Sequence, residues 1–159
     1  MADMRKAFEE VRNMLSGEQS GHGFDHVERV YRLALELAEK EGADKEIVGL
    51  AALLHDCDDY KLAGEEAAEK LPNARRILTM AGADDDMREK VLNIVARMGY
   101  SKSLKGIRPS SLEGKVVSDA DMLDAIGVGG IIRCLQYAVV RCNAFGTPLF
   151  DPDVWPEPG

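Results

Sequence analysis

The sequence has 159 residues, a formal net charge of -8, 45% hydrophobic residues and 30% charged residues. These values are typical of a single globular domain with one core. An acidic chain does not have the basic face that nucleic-acid binding requires, and this sequence contains no apolar run of about 18 residues that would cross a membrane.

The three cysteines, Cys57, Cys134 and Cys142, match no spacing of a metal or redox motif. An odd number of cysteines without a secretory signal is typical of free thiols in a reducing compartment, so we expect a cytoplasmic protein. Neighbouring acidic residues would raise the pKa of the Cys57 thiol and make it a poor nucleophile. We therefore expect Cys57 to be a small packing residue.

Apolar residues recur at helical spacing along almost the whole chain, and this periodicity predicts an all-α bundle. The first predicted helix covers residues 2–15, and a Gly/Ser-rich turn follows it. The second covers residues 24–41 and ends at a glycine, which is a common helix terminator. Asp44 is a good N-cap for the third, residues 45–56, whose apolar faces predict a central and buried helix.

The second half of the chain is also predicted to be helical. Two short helices are expected between residues 62 and 80, with a break at Pro72, and Asp84 is expected to cap the next helix. Residues 99–111 form a predicted basic loop, and loops of this length are often functional. The last predicted helix covers residues 112–140, in one piece or in two pieces around a glycine cluster.

We predict three segments in the chain. Residues 1–16 form a helix that packs on the bundle, residues 17–142 form the main helical domain, and residues 143–159 form a proline-rich tail.

The segment LLHDCDDY, residues 53–60, places three carboxylates directly after an apolar helix. Carboxylates near the C-terminus of a helix have the unfavourable sign for the helix dipole. A bound cation would explain them, and simple solvation is the alternative. Solvation is what we expect for Asp58.

Two neighbouring helices are predicted to bring three ligating side chains together. His26 lies in the first turn of the second helix, and His55 and Asp56 lie in the last turn of the third. The short turn between these helices makes them antiparallel neighbours, so the three side chains should meet. A fourth ligand would come from the acid-rich stretch of the last helix. Its acidic residues are Asp119, Asp121 and Asp124.

Two imidazoles with carboxylates form a mixed nitrogen and oxygen donor set. It suits Mn²⁺, Fe²⁺, Co²⁺, Ni²⁺ or Zn²⁺, is compatible with Mg²⁺, and leads us to favour Mn²⁺. A six-coordinate cation with four protein ligands would leave two positions for water or phosphate oxygen, as in a catalytic site. A purely structural metal is the alternative, and it predicts that the fold collapses on chelation.

Three stretches together resemble the HD superfamily of metal-dependent phosphohydrolases. They are GHGFDHVERV, LAALLHDCDDYK and LEGKVVSDADMLDAIGVGGIIR, and the resemblance covers about residues 17–152. It implies a single-domain, all-α HD-domain bundle whose metal ligands are His26, His55, Asp56 and Asp121. It also implies hydrolysis of a phosphate ester or anhydride, with a nucleotide such as a nucleoside triphosphate as the preferred substrate.

The sequence departs from the resembled subgroup at two positions. Gly23 stands where aspartate is usual, and Met122 stands where arginine is usual. Both changes would weaken the support of the metal or the substrate. The subgroup also continues past the stretch seen here as GTPLFDP into one or two further helices. These departures favour an alternative, a non-catalytic metal-binding module for signalling or scaffolding.

The expected catalytic residues are Asp59, which would orient or deprotonate the attacking water, and His22, which would hydrogen-bond a ligand carboxylate or a substrate phosphate. The expected substrate-binding residues are Arg29, Lys61 and Lys115, because cations bind phosphate. A structural ion pair is the alternative for Arg29. The expected partner is a phosphorylated small molecule, with no nucleic acid or membrane partner and with a homodimer as one option.

Overall fold

The computed structural model describes residues 1–59 and 64–149, apart from the side chain of residue 65. The helices of these ranges are α1 (Met4–Met14), α2 (Phe24–Glu41), α3 (Lys45–Leu54), α4 (Glu65–Lys70), α5 (Pro72–Met80), α6 (Asp85–Arg97), α7 (Tyr100–Leu104), α8 (Leu112–Asp124) and α9 (Gly127–Phe145). Neither described range contains a strand, so the predicted all-α fold is confirmed.

Side-chain caps explain where two central helices begin. The Asp44 carboxylate accepts hydrogen bonds from the backbone N–H groups of Glu46 and Ile47 at the start of α3. The Asp84 carboxylate accepts one from the N–H of Met87 at the start of α6. Each cap satisfies donors that the first turn of a helix leaves unpaired. Both predicted caps are therefore confirmed.

Helix α3 is the centre of the core. Every residue from Ile47 to Leu54 is buried, and each large apolar side chain there contributes roughly 1.5–3 kcal/mol by leaving water. Helix α2 packs along both α3 and α8. Gly42, in the left-handed conformation with φ 72°, ends α2 just before the cap of α3. The tight turn makes α2 and α3 antiparallel, so the start of α2 lies beside the end of α3.

Helix α1 packs on this core through its buried residues Ala7 and Val11, and it contacts α3 and α5. The division of the chain after residues 16 and 142 stays a prediction. Residues 150–159 of the predicted tail lie outside the described residues.

The structure differs from one predicted loop and decides between the two forms expected for the last helix. The loop expected at 99–111 contains the short helix α7, which begins after Gly99, where φ is 109°. The last helix is two helices, because the chain bends by 79° between α8 and α9. Gly127 has φ 77° at this bend, a value that an L side chain rarely adopts. Helix α9 then continues beyond its predicted end, to Phe145, and Gly146 terminates it.

Helix α9 exposes most of its surface. The structure describes every residue of α9, and among them only Gly130 is buried. Several large apolar side chains on α9 are more than half exposed: Val128, Ile131, Ile132, Leu135 and Phe145. Within residues 1–59 and 64–149 no single helix is long and apolar enough to cross a membrane. Taken together, α8 and α9 are long and apolar enough, but the chain bends by 79° between them.

Candidate metal centre

The start of α2 and the end of α3 bring two histidines and an aspartate into one cluster. His26 lies in the first turn of α2, His55 is the C-cap of α3, and Asp56 follows it. All three residues are buried. One ligating atom of each lies within 4.8 Å of the other two. The structure thus joins the three residues that the antiparallel helix pair was expected to join.

The imidazoles of His26 and His55 face each other through their Nε2 atoms, which lie 3.1 Å apart. The Nδ1 of His55 lies 2.8 Å from the carbonyl oxygen of Ala52, which only accepts hydrogen bonds, so this nitrogen carries the proton. The Nδ1 of His26 donates in the same way to Oδ2 of Asp124 at 2.7 Å. In the neutral rings, both Nε2 atoms therefore direct lone pairs into the same space.

Two carboxylates close the same space. Oδ1 of Asp121, on α8, lies 3.4 Å from Nε2 of His26 and 3.7 Å from Nε2 of His55. Oxygens of Asp56 lie 3.4 and 3.5 Å from those two nitrogens. Lone pairs and carboxylate oxygens this close repel one another unless a proton or a metal cation lies between them. The donor set of two imidazoles and two carboxylates fits a divalent cation.

The electrostatics of the cluster favour positive charge. Burial disfavours the charged form of His26, but Asp121 and Asp56 outweigh it and raise the pKa of His26 to about 9. Burial also opposes ionisation of Asp56, yet His55, His22 and His26 hold the pKa of this carboxyl well below its usual range. The metal-free cluster therefore retains a proton at the place where a cation would be bound.

Asp124 holds His26 from the side opposite the cluster, and two arginines hold Asp124. Arg29 donates from Nε at 2.7 Å and from Nη2 at 3.1 Å to the two oxygens of Asp124. Arg133, on α9, donates from Nη1 at 3.2 Å. Burial opposes ionisation of Asp124, but Arg29 and His26 lower its pKa to about 2. A carboxylate behind a ligating imidazole fixes the tautomer and the orientation of the ring.

The segment around His22 lies between the cluster and α9. The Nδ1 of His22 donates to Oδ2 of Asp56 at 3.1 Å. Arg133 donates from Nε to the carbonyl oxygen of Gly21 at 2.7 Å. The ring of Tyr137 meets the His22 ring edge-on, with centroids 6.2 Å apart. His22 thus makes the hydrogen bond to a candidate ligand carboxylate, and its contact with a substrate phosphate stays a prediction.

The expectation that Asp58 is solvated is wrong. Its side chain is buried, and its carboxylate accepts hydrogen bonds from the backbone N–H groups of Asn73 at 3.1 Å and Ala74 at 2.8 Å. Asp58 therefore caps the start of α5, where a carboxylate has the favourable sign for the helix dipole. Cys57 is buried, and burial and neighbouring carboxylates raise its pKa, which confirms a packing role.

Of the three predicted substrate-binding residues, the structure describes Arg29 and Lys115. Arg29 forms ion pairs with Asp124 and, at 2.9 Å, with Asp25. The structure therefore contains the structural ion pair that was the alternative to substrate binding for this residue. Its substrate contact has no support in this geometry. Lys115 is exposed in the first half of α8. Lys61 lies outside the described residues. The roles of Lys61 and Lys115 stay predictions.

Asp59 lies at the edge of the cluster, three residues after Asp56, and is partly buried. Its backbone N–H donates to the carbonyl oxygen of Asp56 at 3.2 Å. Burial lowers the pKa of Lys102, and the negative charge of Asp59 partly raises it again. A lysine of the predicted basic loop therefore lies within electrostatic reach of Asp59. The part of Asp59 in activating water stays a prediction.

Sequence reasoning missed the two α9 residues that reach the cluster, Arg133 and Tyr137. Their spacing of four residues places them on one face of a helix, and Arg133 is the last residue of the stretch LEGKVVSDADMLDAIGVGGIIR. Which face of α9 meets the cluster depends on the 79° bend that precedes it. Asp119, one of the three acidic residues in the stretch expected to supply the fourth ligand, is exposed on α8.

Comparison with known proteins finds similar sequences. The HD domain family matches residues 23–126. The protein YpgQ of Bacillus subtilis (strain 168) is 40% identical over 129 residues, which make up 80% of this chain and 62% of YpgQ. The chain therefore spans less than two thirds of this curated relative.

Solved structures share the fold over most of the chain. A protein from Lactobacillus plantarum has a TM-score of 0.79 and 35% identity, over 98% of this chain and 70% of its own. An HD-superfamily hydrolase from Bacillus thuringiensis has a TM-score of 0.65 and 32% identity, over 96% and 71%. The crystal structure of YpgQ in complex with ADP has a TM-score of 0.61 and 34% identity, over 92% and 73%.

Proposed function

Because this chain belongs to the HD domain family, we propose that it is a metal-dependent phosphohydrolase acting on a phosphate ester or anhydride. One observation carries the proposal: the lone pairs of His26 and His55 converge with oxygens of Asp56 and Asp121. HD domains bind divalent metals, and we propose these four residues as the ligands, with Mn²⁺ as the favoured cation.

The proposed substrate is a nucleotide, most closely a nucleoside triphosphate. The complex of the relative YpgQ with ADP supports a ligand that carries both a base and linked phosphates. The net charge of -8 supports a small substrate over a nucleic acid, because an extended phosphate backbone needs a basic surface. We also propose a cytoplasmic location, which the three free cysteines support.

The chain's own groups prepare the site in two ways, and a bound cation would supply the third part of the chemistry. The carbonyl of Ala52 and the carboxylate of Asp124 keep the protons of the two rings on Nδ1, which leaves both Nε2 atoms for ligation. When bound, a divalent cation polarises a phosphoryl oxygen and lowers the pKa of a neighbouring water. Asp59, at the edge of the cluster, is the group that we propose to orient that water and accept its proton.

A second candidate function is a metal-binding module without catalysis. The position of Gly23 favours it, because a Cβ there would lie 2.9 Å from Oδ1 of Asp25 and 3.1 Å from the carbonyl oxygen of Glu18. The aspartate usual at this position in the resembled subgroup would need this space. Met122, 41% exposed, likewise replaces the usual arginine.

The proposal is tested with a substrate panel on chelator-treated protein. Nucleoside triphosphates, nucleoside monophosphates and a phosphodiester are each supplied with Mn²⁺, Co²⁺, Ni²⁺ or Mg²⁺, and phosphate and pyrophosphate are measured separately. We expect metal-dependent turnover of one substrate class. The variant Asp121→Ala should lose both this turnover and metal binding. The control Asp119→Ala, on the exposed side of α8, should keep both.

Full activity in Asp121→Ala would overturn the metal assignment. Tight metal binding without turnover of any substrate would favour the non-catalytic module instead.

A further inference from the structure

One face of α9 leads away from the metal centre. Arg133, Tyr137 and Arg141 follow one another at intervals of four residues, so they lie along the same side of the helix. Arg133 is bonded to Asp124 behind the ligand His26. Tyr137 lies against His22, and Arg141 lies one turn further out, with its guanidinium carbon 5.9 Å from the centroid of the Tyr137 ring.

Arg141 is arranged to bind an anion. Its guanidinium carbon also lies 4.6 Å from the centroid of the Phe145 ring, so two aromatic rings contact the cation. In residues 1–59 and 64–149 no carboxylate forms an ion pair with Arg141, unlike Arg29 and Arg133. A planar guanidinium in this setting can donate two parallel hydrogen bonds to two oxygens of a phosphate group.

The carboxylates of the cluster favour a second cation for a polyphosphate. A metal ion neutralises the phosphate that it contacts, but the next phosphate on the side of His22 would lie close to the carboxylate oxygen of Asp56 that His22 contacts. Like charges at short range repel strongly where water is partly excluded. Arg141 is the cation that the α9 face places on this side.

We propose that Arg141, held by the rings of Tyr137 and Phe145, binds the second phosphate of a nucleoside di- or triphosphate whose first phosphate lies at the metal centre. This subsite rests on the proposed function and makes it more specific. It selects substrates with linked phosphates over nucleoside monophosphates, which end before they reach Arg141.

The experiment compares ADP with AMP, two ligands that differ by one phosphate. Each is titrated by calorimetry into the 159-residue chain saturated with Mn²⁺. In Arg141→Gln, we expect ADP affinity to fall about tenfold and AMP affinity to change less than about twofold, as for loss of one charge-assisted phosphate contact. Arg12→Gln, an equal loss of charge at an exposed site on α1, should change neither affinity.

A second variant tests the aromatic support. Phe145→Leu keeps an apolar side chain but removes the nearer ring, and ADP affinity should fall about twofold to fivefold. Equal losses for ADP and AMP in Arg141→Gln, or no loss for either, would overturn the subsite while leaving the proposed function intact. If the unmodified protein binds neither nucleotide, the proposed substrate class and the subsite fail together.

Discussion

At the scale of single residues, Asp124 determines how well His26 can act as a ligand. Replacing Asp124 by asparagine keeps the size of the side chain but removes its negative charge. That charge orients the His26 ring and is neutralised by Arg29 and Arg133. We expect the affinity for Mn²⁺, measured by calorimetry, to fall about tenfold to a hundredfold.

Asp119→Asn is the matched control, because it makes the same change on the exposed side of the same helix. It should leave the affinity unchanged. An Asp124→Asn variant that binds Mn²⁺ as tightly as the unmodified protein would show that the hydrogen bond to His26 has no effect on ligation.

The positions of some residues of the site could be predicted from the sequence and those of others could not, and the reason is physical. His26, His55 and Asp56 could be placed together because a short turn determines how α2 and α3 meet. Asp58 could not be placed, because its hydrogen-bond partners, Asn73 and Ala74, lie on a helix reached only through tertiary packing. Proximity across packed helices is not encoded in local spacing.

At the scale of helices, the junction of α8 and α9 depends on two adjacent glycines with opposite surroundings. A Cβ at Gly130 would collide with the backbone carbonyl of Ala125, whereas a Cβ at Gly129 would meet no atom of the described structure within 4 Å. Gly130→Ala should therefore lower the free energy of unfolding by about 1–3 kcal/mol. It should also weaken Mn²⁺ binding, because α9 carries Arg133.

Gly129→Ala should instead raise the free energy of unfolding by about 0.5–1 kcal/mol, because alanine favours the helix, and it should leave Mn²⁺ binding unchanged. Urea unfolding and metal titration of both variants measure these effects. Equal stability of the two variants would contradict the close packing at Gly130.

The starts of two helices followed from the sequence because a predicted side-chain cap defines each of them. Asp44 and Asp84 start α3 and α6 as expected, because a side-chain cap is a local interaction. The bend before α9 was left open, since a glycine-rich stretch permits a continuous helix as well as a break. The packing of Gly130 against Ala125 decides between them, and that contact exists only after the bend has formed.

At the scale of the whole molecule, the protonation of the cluster couples pH to stability. The pKa of His26 is raised from 6.5 to about 9 in the folded, metal-free protein. Its charged form therefore stabilises the fold fully below pH 6.5, and this contribution is lost as pH rises toward 9. A shift of this size corresponds to on the order of 3 kcal/mol.

We expect the free energy of unfolding of chelator-treated protein, measured in urea, to fall between pH 6.5 and 9. Saturation with Mn²⁺ should remove most of this fall, because the cation replaces the proton and its binding strengthens as His26 deprotonates. His26→Gln should show no such fall with or without metal. An unchanged stability of the metal-free protein across this range would contradict the raised pKa.

The two contacts of Arg133, with the carbonyl of Gly21 and with Asp124, make the position of α9 thermodynamically linked to the cluster. Linkage is reciprocal. Any contact made on the exposed apolar side of α9 that favours its observed position raises cation affinity by some factor, and a bound cation strengthens that contact by the same factor. The outer surface of α9 and the metal centre therefore respond to each other although they lie on opposite sides of one helix.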